Sequence, residues 1–125
     1  MNKRKVLIVD DEAGFTKVVK LTLEASKKYE VREQSNPLMA LQTARQFQPD
    51  VILLDVVMPQ IDGGDVFSML QSDPALKHIP VVFVTATVRK NEVPEHGGVI
   101  GGSFFVAKPV SAQGLMNCIE DRLKH

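Results

Sequence analysis

Cysteine is nearly absent from this chain of 125 residues: the single one, Cys118, cannot close an internal disulfide. The three histidines, His78, His96 and His125, show no metal-ligand spacing with it, and a reducing cytoplasm fits this cysteine usage. Charge of one sign is missing as well. Lysine plus arginine and aspartate plus glutamate stand at 15 each, so no global field draws the chain to nucleic acid or to an acidic membrane surface. Long apolar runs are also lacking: after Met-Asn-Lys-Arg-Lys comes a short apolar stretch ending in acid, too short for a signal-peptide core or a bilayer span. Neither export nor membrane anchoring is expected. No repeat, low-complexity tract or linker is evident, so residues 1–125 read as one domain, long enough to bury a core without staples.

What is present is an alternation of short β-branched or leucine-rich runs with longer amphipathic stretches, the pattern of a parallel sheet covered by helices on both faces. Residues 6–9 read as a strand, and 13–27 as a helix with Phe15, Val18, Val19 and Thr22 on one face and Lys17 and Lys20 largely opposite. Residues 29–33 alternate like a short strand, and Ser35-Asn36-Pro37 starts a helix running to about 47. The run 51–54 is uninterruptedly apolar, as a strand buried on both faces should be, and ends at Asp55. A helix over 65–71 and a strand over 81–85 follow. From 88 to 102, Pro94 and the glycine pairs at 97–98 and 101–102 argue against more than a short helix. Residues 104–107 then read as a fifth strand and 111–123 as a closing helix, with Leu115, Met116, Ile119 and Leu123 inward.

In an open parallel sheet the functional crevice lies outside the carboxyl ends of the strands. Here the first strand ends in Asp10-Asp11, the third in Asp55 and the fourth in Thr85, and Lys108 follows the fifth. Three carboxylates brought within ~5 Å repel one another by several kcal/mol at an effective dielectric near ~20, so such a cluster calls for a cation. Mg²⁺, a hard ion that joins carboxylates to phosphoryl oxygens, suits it. An aspartate can act as a nucleophile toward phosphorus if the charge developing on the phosphoryl oxygens is neutralised, which Mg²⁺, Lys108 and Thr85 can do together.

These residues resemble those of the response-regulator receiver domains of two-component signalling. The match runs through Val-Asp-Asp-Glu at 9–12, Leu-Leu-Asp-Val-Val-Met-Pro at 53–59, Asp62-Gly63, Val-Thr-Ala at 84–86 and Lys108-Pro109, spanning the whole chain in the right order. The resemblance implies a flavodoxin-like doubly wound (βα)5 sandwich whose five parallel strands lie in the order 2-1-3-4-5. It also implies that Asp55 accepts a phosphoryl group from a phosphohistidine on a sensor histidine kinase or histidine phosphotransfer protein. Asp11, Asp55 and the backbone carbonyl of Val57 would bind Mg²⁺, with Asp10 acting mainly through water. Lys108 would pair with the phosphoryl group, Thr85 would move toward it, and Phe105 takes the position of the family's switch aromatic. Aromatic residues are also common in strands, so Phe105 reads equally well as core. Asp62 and Glu12 read as solvated loop or helix-start residues. Val57 and Thr87 stand where the family tunes phosphoryl hydrolysis, and neither is an acid or amide, so slow self-dephosphorylation is expected.

Enzyme readings fail on the motifs. A haloacid-dehalogenase-type phosphatase needs a second acid where Val57 stands, and the chain carries neither a nucleoside-triphosphate loop nor a dinucleotide glycine motif. A flavodoxin-like electron carrier would want a hydroxyl- and glycine-rich phosphate loop after the first strand, where acids would repel a phosphate. Two other readings remain open: a pseudo-receiver serving only as a protein-interaction module, and an intermediate phosphate shuttle in a relay. No output domain follows the final helix, so the expected output is contact with an unidentified downstream protein, from a monomer or weak dimer.

Overall fold

Four consecutive apolar residues, Val51–Leu54, are wholly buried and form β3, the middle of the sheet. The computed structural model describes residues 3–55, 63–85, 98–100, 103–108 and 111–123. Around β3 the described strands are β1 (Arg4–Val9), β2 (Tyr29–Gln34), β4 (Val81–Thr85), β5 (Gly98–Ile100) and β6 (Ser103–Ala107). The helices are α1 (Ala13–Ala25), α2 (Ala40–Phe47, preceded by a 3-10 turn at Pro37–Met39), α3 (Gly63–Ser72) and α4 (Ala112–Leu123). The sheet order is β2-β1-β3-β4-β6-β5. Its five parallel strands, counted alone, follow the expected 2-1-3-4-5 order of a flavodoxin-like α/β sandwich.

The sixth strand departs from expectation. Gly98–Ile100 pairs antiparallel with β6, Val99 opposite Phe104 and Ile100 opposite Ser103, at the edge of the sheet. It falls in the stretch where glycine and proline argued against a long helix. Residues 88–97 and 101–102, the rest of that stretch, lie outside the described residues, as do Val57, Asp62, Thr87 and Pro109.

Successive strand residues point to opposite faces, so the sheet has two cores. Val6, Ile8, Val51 and Leu53 pack with Val19 and Leu23 of α1 and with Leu115, Cys118 and Ile119 of α4. Leu7, Val9, Ile52 and Leu54 pack with Ala44 and Phe47 of α2 and Val66 and Leu70 of α3. Each large side chain so buried stabilises the fold by about 1.5–3 kcal/mol.

The orientation of α1 differs from the sequence expectation. Thr16, Val19 and Leu23 are its buried residues, Phe15 is half-buried, and Val18 is 61% exposed. Polar ties to β2 set this rotation. The Thr16 hydroxyl donates to Glu33 Oε1 at 2.8 Å, Lys20 Nζ donates to the Val31 carbonyl at 2.8 Å, and Val31 N–H donates to Glu24 Oε2 at 3.0 Å. The last two bonds satisfy main-chain groups of an edge strand that otherwise invites pairing with another chain. Turning Val18 inward would break all three.

Local chemistry starts the 3-10 turn that leads into α2 and ends α2 itself. Asn36 Oδ1 accepts from Leu38 N–H at 3.0 Å before Pro37 sets the first turn. Gln48, at φ 53°, closes it in the left-handed conformation, its N–H donating to the Ala44 carbonyl at 2.8 Å.

Candidate functional site

Strand register brings the acids together. Val9 lies opposite Leu54 in the β1–β3 pairing, and Asp55 N–H donates to the Val9 carbonyl at 3.0 Å. The next residue of each strand is therefore an aspartate, so Asp10 and Asp55 leave the sheet side by side. Asp10 N–H donates to the Gln34 carbonyl at 3.2 Å, which anchors it on its other flank. Asp10, Asp11 and Asp55 each place a carboxylate oxygen within 4.8 Å of the others. Asp10 and Asp55 are 1% and 6% exposed, and Asp11 faces solvent.

Lys108 is the counter-charge. Ala107 pairs with Thr85, and Lys108 N–H donates to the Thr85 carbonyl at 3.0 Å, so the lysine emerges beside the end of β4. Its ammonium lies 2.7 Å from Asp10 Oδ2, 2.7 Å from Glu12 Oε1 and 3.9 Å from Asp55 Oδ2. It also sits 4.4 Å from the Phe15 ring centroid, over the ring face. Burial by itself would lower the lysine's proton affinity. The hydrogen bonds it donates to Asp10 and Glu12, with the charges of Asp10 and Asp55, outweigh that and raise it above the ordinary lysine value. Lys108 is therefore a permanent cation at this rim.

Thr85 is the last residue of β4 and 1% exposed. Strand alternation puts its side chain on the same face as Phe83, and Phe105 pairs with Phe83 across β4 and β6. The Phe83 and Phe105 rings stack 5.0 Å apart, and Phe67 of α3 meets Phe83 edge-on at 5.5 Å. Phe105 is only partly buried, packed against the core on the α2–α3 face.

Asp10, Asp11, Asp55, Thr85 and Lys108 thus share the carboxyl rim of the sheet, while Phe105 lies two residues below Ala107 on the aromatic row. Val57 lies outside the described residues. Two partners of Lys108 escaped the sequence reading. Glu12, 64% exposed, does start α1: its carbonyl accepts from Phe15 and Thr16, and Asp10 Oδ1 accepts its N–H at 3.0 Å. It nonetheless turns its carboxylate onto the lysine. Phe15 supplies the ring beneath the same ammonium. No spacing in one chain links positions 12 and 15 to 108; only the register of the sheet does.

A rim of three oxygen ligands, two of them withdrawn from water, is the donor set of a hard divalent cation and is typical of the receiver metal site. Among the described residues no helix is long and apolar enough to cross a membrane.

Comparison with known proteins agrees with this geometry. The sequence pattern of the response regulator receiver domain matches residues 6–120. The polar-differentiation response regulator DivK of Brucella anthropi is 35% identical over 120 residues, covering 96% of each chain. The solved chemotaxis response regulator CheY4 of Vibrio cholerae superposes with a TM-score of 0.81 at 26% identity, over 98% of this chain and all of that one. A response regulator from Desulfuromonas acetoxidans superposes with a TM-score of 0.80 at 25% identity, over 97% of both chains.

Proposed function

The chain belongs to the response regulator receiver domain family, a signalling phosphoacceptor in phosphorelay rather than a turnover enzyme, and from that premise we propose that Asp55 is the residue phosphorylated. The observation that carries this is the meeting of the Asp10, Asp11 and Asp55 carboxylates within 4.8 Å, with the Lys108 ammonium 3.9 Å from Asp55. An Asp55 oxygen attacks phosphorus, the P–N bond of a phosphohistidine breaks, and the imidazole leaves with the bonding electrons. Receiver membership implies a histidine kinase partner; the donor here is a sensor histidine kinase or a histidine phosphotransfer protein.

Asp11 and Asp55, with the Val57 carbonyl, are the residues that would hold Mg²⁺, and Asp10 would act through water. The bound ion supplies positive charge to the phosphoryl oxygens. Lys108 supplies more, shifting from Glu12 toward the new phosphoryl group, and Thr85 moves to donate its hydroxyl. Phe105, stacked on Phe83 and half open to solvent, turns with that movement and alters the surface offered to a downstream protein. The whole chain acts as a single domain, a cytoplasmic monomer or weak dimer.

Intact-mass spectrometry after incubation with acetyl phosphate tests this reading. It predicts a gain of about 80 Da that requires Mg²⁺ and is absent in Asp55→Asn. A gain retained in that variant, or no gain from either acetyl phosphate or phosphorylated kinases, contradicts it.

A further inference from the structure

At the opposite end of the sheet from the acids, a cavity of about 260 Å³ opens where α3, the 73–80 loop and the start of β4 meet the end of α4. Four residue steps along β4, about 13 Å, separate Val81 at this end from Thr85 at the acidic rim. Phe67, Phe83 and Phe104 give the cavity aromatic walls, and Lys77, His78 and Arg122 give it donors. Among the described residues no aspartate or glutamate lines it.

Arg122 makes this more than a patch of surface charge. Its guanidinium carbon lies 4.2 Å from the Phe104 ring centroid, which fixes the plane of the group against an aromatic wall. Its Nε is buried and is the one buried side-chain nitrogen or oxygen that, among the described residues, has no hydrogen-bond partner. Buried donors are ordinarily satisfied, so Arg122, which lines the cavity, keeps donor capacity that the described residues do not use. Lys77 and Arg122 form no ion pair among the described residues, and two acids close to them in sequence are engaged elsewhere: Asp73 by Arg45 at 2.6 Å, and Glu120 by Tyr29 at 3.0 Å.

We propose that this cavity binds a small oxyanion carried on a flat apolar body, such as an aryl phosphate or aryl carboxylate. The oxyanion takes the Arg122 and Lys77 charges with the His78 N–H, while the ring lies among the phenylalanines. The volume, just below the usual range for small-molecule sites of ~300–1,000 Å³, sets the size of the occupant at a single ring with its anionic group. The site does not depend on the identity of the phosphoacceptor.

Phenyl phosphate is the probe, added to the full chain in magnesium-free buffer with a chelator, where the acidic rim repels it. Amide chemical shifts of Lys77, His78, Phe83, Phe104 and Arg122 are expected to move together and saturate, with a Kd on the order of 1 mM or tighter. Inorganic phosphate is expected to bind at least threefold more weakly, and benzyl alcohol not to saturate. Arg122→Gln is expected to weaken phenyl phosphate about tenfold. Should that variant lose its fold, the double variant Lys77→Gln, His78→Gln, altered only at the cavity mouth, carries the same test with at least a threefold loss. Absence of saturable shifts, shifts centred on Asp10 and Asp55 instead, or equal binding by the double variant overturns the proposal.

Discussion

Replacing Lys108 by methionine keeps the apolar stem and removes only the charge, so it isolates the ammonium's part in holding the acidic rim together. At an effective dielectric of ~20, its separations of 2.7 Å from Asp10 and 3.9 Å from Asp55 correspond to gross attractions of about 6 and about 4 kcal/mol. The same treatment gives a repulsion of about 3.5 kcal/mol between two carboxylates 4.8 Å apart, which the ammonium no longer offsets in the variant. Desolvation of the ammonium cancels much of the gross attraction. Glu12, exposed, swings into water at little cost. What remains is the removal of one partner from a mostly buried pair, a net loss of about 3 kcal/mol. In urea with a chelator the unfolding midpoint should fall by about 1–3 M, given an m-value of about 1–3 kcal/mol per molar. Adding Mg²⁺ supplies a different cation to the same carboxylates. It should restore most of the loss, and the variant should bind Mg²⁺ more tightly than the wild type. A variant as stable as wild type in chelator, or a deficit that Mg²⁺ leaves untouched, would refute the reasoning.

Three further outcomes follow from particular contacts. Glu12→Gln releases Lys108 from a competitor worth at most about 1 kcal/mol, so acyl-phosphate formation from acetyl phosphate should rise by no more than about fivefold; a slower rate would mean that Glu12 positions the lysine instead. The Glu24 carboxyl lies below its ordinary value of 4.5, chiefly because Val31 N–H donates to it, with burial opposing and Lys20 assisting. Its contribution to stability is therefore complete above pH 4.5 and lost as pH falls through the lower native value, where the unfolded chain binds more protons. Urea titrations of wild type and Glu24→Gln should converge in that acid window; curves that stay parallel contradict the assignment. Burial pushes the Cys118 thiol up to about 12. A thiol reagent at pH 8 should then modify the native protein only as fast as it unfolds, and full labelling within seconds would show the α4 core to be open.

The strands at 51–54 and 81–85 were legible to the residue because burial on both faces demands an unbroken apolar run, and Asp50 and Pro80 mark where each begins. The site was legible for a related reason: in a parallel sheet, strand ends converge, so Asp10, Asp55, Thr85 and Lys108 could be placed on one rim from position alone. What was hidden depends on partners distant in the chain. Helix α1 carries apolar residues on adjoining faces, and only the Thr16, Lys20 and Glu24 bonds to β2 decide that Val18 and Leu21 face water. Glu12 looked like an ordinary helix start, which it is; its hold on Lys108 spans 96 positions and leaves no local trace. The antiparallel strand at Gly98–Ile100 was obscured because glycine carries no strand preference of its own.

The most direct test of the central assignment is to trap the acyl phosphate. Borohydride reduces an aspartyl phosphate to homoserine, so reduction of the phosphorylated protein followed by peptide mass mapping reads the acceptor residue itself. Homoserine at position 55, formed only in samples treated with both acetyl phosphate and Mg²⁺, is the predicted result. Homoserine at position 10 or 11, or an intact aspartate at 55 in protein that has gained the phosphoryl mass, would contradict it.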